Sequence, residues 1–162
     1  MSCGTDDTPP PPPATTSSPT PSERPLSPKE SIISSPVPTA AAPEDPARAE
    51  EEIRESWARF FSPESSVEDR ADVAENGGQY QLMIEALAKD RKSRLLRVRV
   101  DSVTFVSDLR ARVGYTLFSD GRKVGPENPG ESVRQDDTWK VTEKTVCSLT
   151  KYGTDVPQAP TC

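Results

Sequence analysis

The distribution of proline divides the chain near residue 46 and limits what each part can fold into. Thirteen of its 18 prolines and 14 serine or threonine residues precede residue 47, whereas most large apolar side chains follow it. A segment of the first composition buries too little apolar surface to offset the loss of chain entropy on folding. We therefore predict a disordered Pro/Ser/Thr-rich tether over residues 1–45 and one folded domain over residues 46–162.

Charge and composition exclude several classes of function. The chain has 20 basic and 26 acidic residues, a net charge of −6, which argues against nucleic-acid binding. It has no histidine, and therefore no Ser-His or Cys-His catalytic pair and no His-ligated metal. We expect no cofactor and no metal. No apolar stretch approaches the roughly 20 residues that span a bilayer, so we expect membrane attachment only through a covalent lipid.

The segment Ser2-Cys3-Gly4 and the polar tether after it resemble the start of a mature bacterial lipoprotein. That resemblance implies a lipid anchor on Cys3 and an extracytoplasmic location at the cell surface or envelope. A secretion signal, however, needs a charged and an apolar stretch before its cleavage site. Only two residues precede Cys3. Either the true start lies upstream of Met1, or Cys3 is an ordinary thiol and the protein is cytoplasmic.

The first half of the domain has the spacing of helices. Asp45-Pro46 is typical of a helix start, with an acceptor at the N-cap and proline at the first helical position. Apolar residues then recur at i, i+4, i+7 and i+8, and Ser62-Pro63 ends the pattern. Two further helices are predicted from Ser66 to Ala74 and from about Gln79 to Asp90. The first apolar stripe consists of Ile53, Trp57, Phe60 and Phe61.

The second half has the period of strands. Leu96 to Val100 alternate in one phase and Val103 to Phe105 in the other, so we predict a β-bulge at Asp101 or Ser102. Turns are predicted at Asp120-Gly121 and Asp136-Asp137. The other strands are predicted around Ala111–Leu117, Arg122–Gly125, Val133–Gln135 and Trp139–Cys147. Helices followed by antiparallel strands predict an α+β domain with its N-terminal helices packed on a bent sheet.

The motifs and the order of these elements resemble known families. The segments 57–61 (WARFF), 133–141 (VRQDDTWKV) and 145–147 (TVC) resemble the actinobacterial low-molecular-weight antigen family, over about residues 48–162. That resemblance implies a secreted or lipid-anchored protein and supplies no catalytic residues. The element order resembles the cone-shaped nuclear transport factor 2-like (SnoaL-like) fold, which implies a bent sheet around helices and a pocket.

Two cysteines lie near the C-terminus. Cys147 ends the last predicted strand and Cys162 ends the chain, with 14 residues between them. A disulfide closing this loop would stabilise a small domain by about 3 kcal/mol. Two free thiols are the alternative. Zinc is not expected, because two thiols without histidine or a CxxC pair do not complete a tetrahedral site.

A carboxylate in a pocket is the group that a SnoaL-like enzyme would use. Asp101 is the candidate, since a bulge can turn its side chain inward, and Tyr115 is a possible hydroxyl partner. The alternative is that Asp101 faces water and Tyr115 is a core aromatic residue.

Four arginines are predicted to share the outer face of one hairpin as a basic stripe. They are Arg97, Arg99, Arg110 and Arg112. Such a stripe would attract an anionic lipid, a wall polymer or the acidic tether. The alternative is an ordinary solvated face that protects the sheet.

Together these patterns predict an exported, lipid-anchored cell-surface protein with a small non-catalytic domain that binds a ligand or partner. The expected partner is a small apolar ligand or a cell-envelope component. A SnoaL-like small-molecule enzyme is the first alternative, and a structural spacer or cytoplasmic adaptor is the second. A filled interior would favour binding or structural roles, and an apolar cavity with Asp101 inside it would favour an enzyme.

Overall fold

The computed structural model describes Gly4, residues 8–13 and residues 42–162. The chain divides into two units, Met1–Val37 and Pro38–Cys162, and every described helix and strand lies in the second. Most of the predicted tether, and Cys3 with it, lies outside the described residues. The second unit has an α+β architecture, as predicted, with helices packed on an antiparallel sheet.

Three helices precede the sheet, and side-chain caps begin the first two. They are α1 (Pro46–Phe61), α2 (Val67–Asp72) and α3 (Gln81–Lys89), the last preceded by a 3-10 turn over Gly77–Tyr80. Asp45 Oδ1 accepts a hydrogen bond from Arg48 N at 3.1 Å, and Ser66 and Asp69 form a reciprocal capping box. The chain leaves the α region at Ser62, just before Pro63. The predicted boundaries of α1 and α2 are confirmed to within two residues.

Five strands form one sheet in which β2 is central. Their bounds are β1 (Leu96–Phe105), β2 (Arg110–Ser119), β3 (Arg122–Gly125), β4 (Gly130–Gln135) and β5 (Thr138–Val141). β1 pairs with one edge of β2, while β3 and β4 share the other edge. The shift in register between Val100 and Ser102 confirms the predicted bulge at Asp101. Asp120-Gly121 and Asp136-Asp137 adopt positive φ in the predicted turns.

The sheet curls around α1, because this helix contacts β1 and β5, the strands at the two ends of the order β1-β2-β4-β5. Trp57 and Trp139 are almost fully buried inside the curl, which confirms their predicted place in the core. Trp57 Nε1 donates to Ser132 Oγ at 2.8 Å, and the ring of Trp57 lies 4.6 Å from that of Tyr115. Aromatic and aliphatic side chains therefore fill the concave side of the sheet.

The last predicted strand, Trp139–Cys147, is confirmed only up to Val141, and its second part is wrong. The chain leaves the sheet at Val141 and forms a fourth helix, α4 (Glu143–Leu149), followed by a 3-10 turn over Thr150–Tyr152. Thr142 is the N-cap, and its hydroxyl accepts a hydrogen bond from Thr145 N at 3.4 Å. The β-branched residues at 145 and 146 favour a strand locally. The cap and the packing of α4 on β4 outweigh that preference.

Candidate functional site

A break in the strand pairing along one edge of β2 creates a polar cleft. β3 pairs with β2 only from Leu117 onwards, and β4 pairs with it only up to Val113. The chain crosses between them in a loop that begins with the cis peptide Gly125-Pro126. No described strand therefore covers this edge of β2 at Tyr115. A cleft of about 170 Å³ lies there, between this loop and α4.

Tyr115 and Gly130 form the floor of the cleft. Gly130 begins β4 where a side chain would not fit, since a Cβ atom would lie 2.5 Å from Trp57 Cη2 and 3.0 Å from Tyr115 Cε1. Burial raises the pKa of Tyr115 to about 12, although a hydrogen bond with Ser148 acts in the opposite direction. The phenol therefore stays protonated at neutral pH and can donate a hydrogen bond to a ligand.

Positively charged side chains outnumber carboxylates among the residues that line the cleft. Lys144 and Lys151 line it from the side of α4, and both are exposed. Lys151 Nζ lies 5.2 Å from the ring centroid of Tyr152. Glu131 is the one carboxylate among the lining residues. The other lining residues are Pro126, Asn128, Pro129, Thr145 and Ser148. With two ammonium groups against one carboxylate, the cleft favours a negatively charged ligand.

Hydrogen bonds to β4 and within α4 position the α4 wall of the cleft. Thr145 Oγ1 accepts from Glu131 N at 3.0 Å, and Ser148 Oγ donates to Thr145 O at 2.6 Å. Because the sequence favoured a strand here, it did not predict Lys144 and Ser148 as site residues. Thr142 followed by Glu143 was the available signal, since threonine is a favoured N-cap and an acidic residue is favoured in the first helical turn.

The structure does not bring Asp101 and Tyr115 together. Asp101 is exposed at the bulge on the outer face of the sheet, and it accepts hydrogen bonds from Thr116 Oγ1 at 2.6 Å and Arg99 Nε at 2.7 Å. These two donors, Thr116 first, hold the pKa of Asp101 below its usual range. Tyr115 points to the inner face and is buried. The inward orientation considered for Asp101 is therefore wrong, because the bulge aligns its carboxylate with Thr116.

The four predicted arginines lie on the outer face, but they do not form one stripe. Arg99 is opposite Thr116 near one end of the β1–β2 hairpin, whereas Arg112 is opposite Thr104 near the other. Arg97 accompanies Arg99, and Arg110 accompanies Arg112. The bulge and the paired residues Ser102 and Gly114 lie between the two pairs. The single basic stripe is therefore corrected to two separate pairs.

A disulfide joins Cys147 to Cys162, with a Cα–Cα distance of 5.6 Å. Cys147 lies on α4 and not on a strand, so the bond ties the C-terminal segment to the helix that lines the cleft. Cys162 Sγ also lies 3.6 Å from Met83 Sδ on α3. Among the described residues, no group of three or more cysteine or acidic side chains is placed to hold a metal ion.

A family model described as the low molecular weight antigen MTB12, C-terminal domain, matches residues 46–156. The chain belongs to this family. Membership of the MTB12 C-terminal domain family is compatible with a cell-surface protein and confirms the antigen-family resemblance. No curated protein and no solved structure matches the chain. The nuclear transport factor 2-like fold therefore stays a prediction. Within the described part of the chain, no helix is both long and apolar enough to cross a membrane.

Proposed function

We propose that this member of the MTB12 C-terminal domain family is an exported, lipid-anchored protein whose domain binds a small anionic ligand without catalysis. The observation that carries the ligand-binding part of this proposal is the cleft at the break in the β2 edge, with Tyr115 at its floor and Lys144 and Lys151 at its rim. The aromatic filling of the concave side supports binding at this cleft over chemistry in an interior pocket.

The lining also indicates the class of ligand. Two ammonium groups, a protonated phenol and an asparagine amide can donate hydrogen bonds into one small volume. Charge-assisted hydrogen bonds to carboxylate or phosphate oxygens are stronger than those between neutral groups. The cleft is smaller than the roughly 300–1,000 Å³ typical of drug-sized ligands. These features favour a small carboxylate or phosphate over the apolar ligand expected from the sequence.

An NMR titration of the full chain tests the cleft. Succinate is the probe, and the uncharged succinamide is its control. We expect succinate to shift the backbone amides of Tyr115, Gly130 and Ser148. The variant Lys144→Gln/Lys151→Gln should weaken the affinity about tenfold or more, because it removes both cations. The variant Lys89→Gln/Lys123→Gln removes two charges elsewhere and should leave the affinity unchanged. Equal losses in both variants, or no shift at these amides, would contradict the proposal.

Export and lipid attachment need a separate measurement, because Cys3 lies outside the described residues. Mass spectrometry of the protein isolated from its own cells should find acyl chains on the peptide that contains Cys3. Cys3→Ala should release the protein from the membrane fraction. An unmodified N-terminal peptide, recovered with Met1 in place, would refute the anchor and leave ligand binding at the cleft unaffected.

A further inference from the structure

Six exposed cations gather at the end of the sheet where β1 begins. We call these residues the basic end surface: Arg91, Lys92, Arg94, Arg97, Arg99 and Lys123. The first three lie in the turn before β1, two lie on β1, and Lys123 lies on β3. Only Arg97 and Arg99 belong to the arginine set predicted from the sequence.

Strand register brings these separate segments together. Arg97 is opposite Phe118, and Phe118 is opposite Lys123, so the three side chains form one row across β1, β2 and β3. Adjacent strands lie about 4.8 Å apart, which places the Cα atoms of Arg97 and Lys123 about 10 Å from each other. Arg97 Nη1 donates to Arg94 O at 3.1 Å, which joins the turn to the row. Arg99 lies over the Phe118 ring, with its Cζ atom 5.3 Å from the centroid.

The charge of this surface is opposite to that of the rest of the domain. Three carboxylates lie nearby, Asp90, Asp101 and Asp155, so the local balance is 6 − 3 = +3. The opposite charges of Asp120 and Arg122, at the β2–β3 turn, cancel in this balance. Residues 47–162 have 18 basic and 20 acidic residues, a net charge of −2, so the remainder of the domain carries −2 − 3 = −5. Such a separation of charge orients the domain in the field of an anionic partner.

The cations of this surface are largely available to a partner. Among the described residues, Arg99 is the one cation of the basic end surface in a salt bridge, with Asp101. Asp90 is occupied by local backbone groups, since it accepts hydrogen bonds from the N–H groups of Lys92, Ser93 and Thr154. The charges are therefore not neutralised within the domain.

Two exposed apolar residues adjoin these cations in the sequence. Leu95 is 37% exposed beside Arg94, and Val124 is 42% exposed beside Lys123. A soluble polyanion gains little from such side chains, whereas the headgroup region of a bilayer accepts them together with the cations. The cations are spread over three strands and a turn and do not converge on one point, which suits an extended anionic surface.

We propose that the basic end surface binds the headgroup layer of an anionic lipid bilayer. This contact is independent of the cleft and does not need a lipid on Cys3. It places the convex side of the sheet at the start of β1 against the membrane. The Tyr115 cleft lies between the β3–β4 loop and α4, where none of the six cations contributes to its lining.

Vesicle sedimentation of the full, unacylated chain tests this contact. We expect binding to vesicles of phosphatidylglycerol and phosphatidylcholine in equal parts, weakening as salt is raised, and none to vesicles of phosphatidylcholine alone. The variant Lys92→Gln/Lys123→Gln should bind anionic vesicles about 25-fold more weakly, since each cation raises the binding constant about fivefold. Both side chains are exposed and belong to no salt bridge among the described residues, and a thermal melt checks that the variant folds.

Arg110→Gln/Arg112→Gln is the matched control, because it removes the same charge from the end of the β1–β2 hairpin that is remote from the basic end surface. It should change vesicle binding by less than about twofold. Leu95→Ser should weaken binding to anionic vesicles but not to dextran sulfate, a soluble polyanion. Equal losses in the two charge variants would overturn the proposal. Binding to dextran sulfate without binding to anionic vesicles would overturn it in favour of an anionic polymer.

Discussion

Gly130 lies where three side chains meet under the cleft, which makes its size decisive. A Cβ atom there would lie within 3.1 Å of Trp57, Tyr115 and Thr145, all of them buried. We expect Gly130→Ala to lower the free energy of unfolding by about 1–3 kcal/mol through overpacking. A Cβ atom added at Gly78 would have no neighbour within 4 Å, so Gly78→Ala should be neutral or slightly stabilising. Urea denaturation measures the free energy of unfolding of both variants. Equal changes in the two would show that the side chains around Gly130 move to accommodate the added methyl group.

Tyr115 couples stability to alkaline pH. Burial raises its pKa from 10.0 to about 12 in the folded state, so folding favours the protonated phenol. The contribution of this pKa difference to the free energy of unfolding is fully present below about pH 10 and is lost as the pH rises towards 12. It amounts to about 1.4 kcal/mol per unit of pKa difference. We expect the urea midpoint to fall over this interval, and to fall less in Tyr115→Phe. If the urea midpoint of Tyr115→Phe falls with pH as steeply as that of the wild type, Tyr115 ionises as readily in the folded chain as in the unfolded one.

At the scale of elements, the two strands at the ends of the sheet are protected differently. The edge of β5 that faces away from β4 is covered by the segment after α2. There Val141 N donates to Val73 O and Glu75 N donates to Val141 O, each at 2.8 Å. On the edge strand β1, Arg54 Nη1 donates to Val100 O at 2.7 Å next to the bulge. Bulges and charged side chains on an edge strand oppose pairing with another chain. The arginines of β1 therefore have a structural role besides the proposed contact with lipid.

The disulfide joins the C-terminal segment to α4. It closes a loop with a sequence separation of 15. We expect Cys147→Ala/Cys162→Ala to lower the free energy of unfolding by about 3 kcal/mol, because the unfolded chain regains loop entropy. Cys3→Ala is the control and should have no effect. Peptide mapping of thiol-blocked protein should find Cys147 linked to Cys162, and any linkage through Cys3 would contradict this pairing.

At the scale of the whole molecule, we predict that the tether does not stabilise the domain. Pro43 is buried, so the shortened chain should keep it and begin at residue 42. Its melting temperature should differ from that of the full chain by less than about 2 °C, which for a domain of this size is well under 1 kcal/mol. Limited proteolysis should stop at the same boundary. A loss of several degrees would show that the domain depends on residues before 42.

The two proposed binding regions lie on different parts of the domain. The cleft takes its residues from β2, the β3–β4 loop, β4, α4 and the 3-10 turn that follows it, and the basic end surface takes its cations from the turn before β1, β1 and β3. A domain held at a bilayer through the second region could therefore bind a small anion in the first. Variants in one region should leave binding at the other unchanged, which separates the two proposals.

Local chemistry allowed the sequence to predict much of this fold. The N-caps at Asp45 and Ser66, the spacing of the α1 stripe and the bulge at Asp101 depend on residues a few positions apart, and the structure has all of them. The change from helical to strand period was equally local, and it predicted the α+β class. The family resemblance was also readable, because its motifs are short continuous segments of the core and its hairpins.

Only the tertiary structure decided the sites. Whether β3 and β4 share one edge of β2 depends on pairing between residues distant in sequence, and that sharing leaves Tyr115 at the floor of a cleft. Pairing of β1 and β3 with β2 places Lys123 in a row with Arg97, and the β1–β2 register separates Arg97 from Arg110. For residues 143–149, local β-propensity and the Thr142 cap disagree, and contact with β4 resolves them as a helix. Local sequence fixes which residues can form an element, but only long-range packing fixes which elements become neighbours.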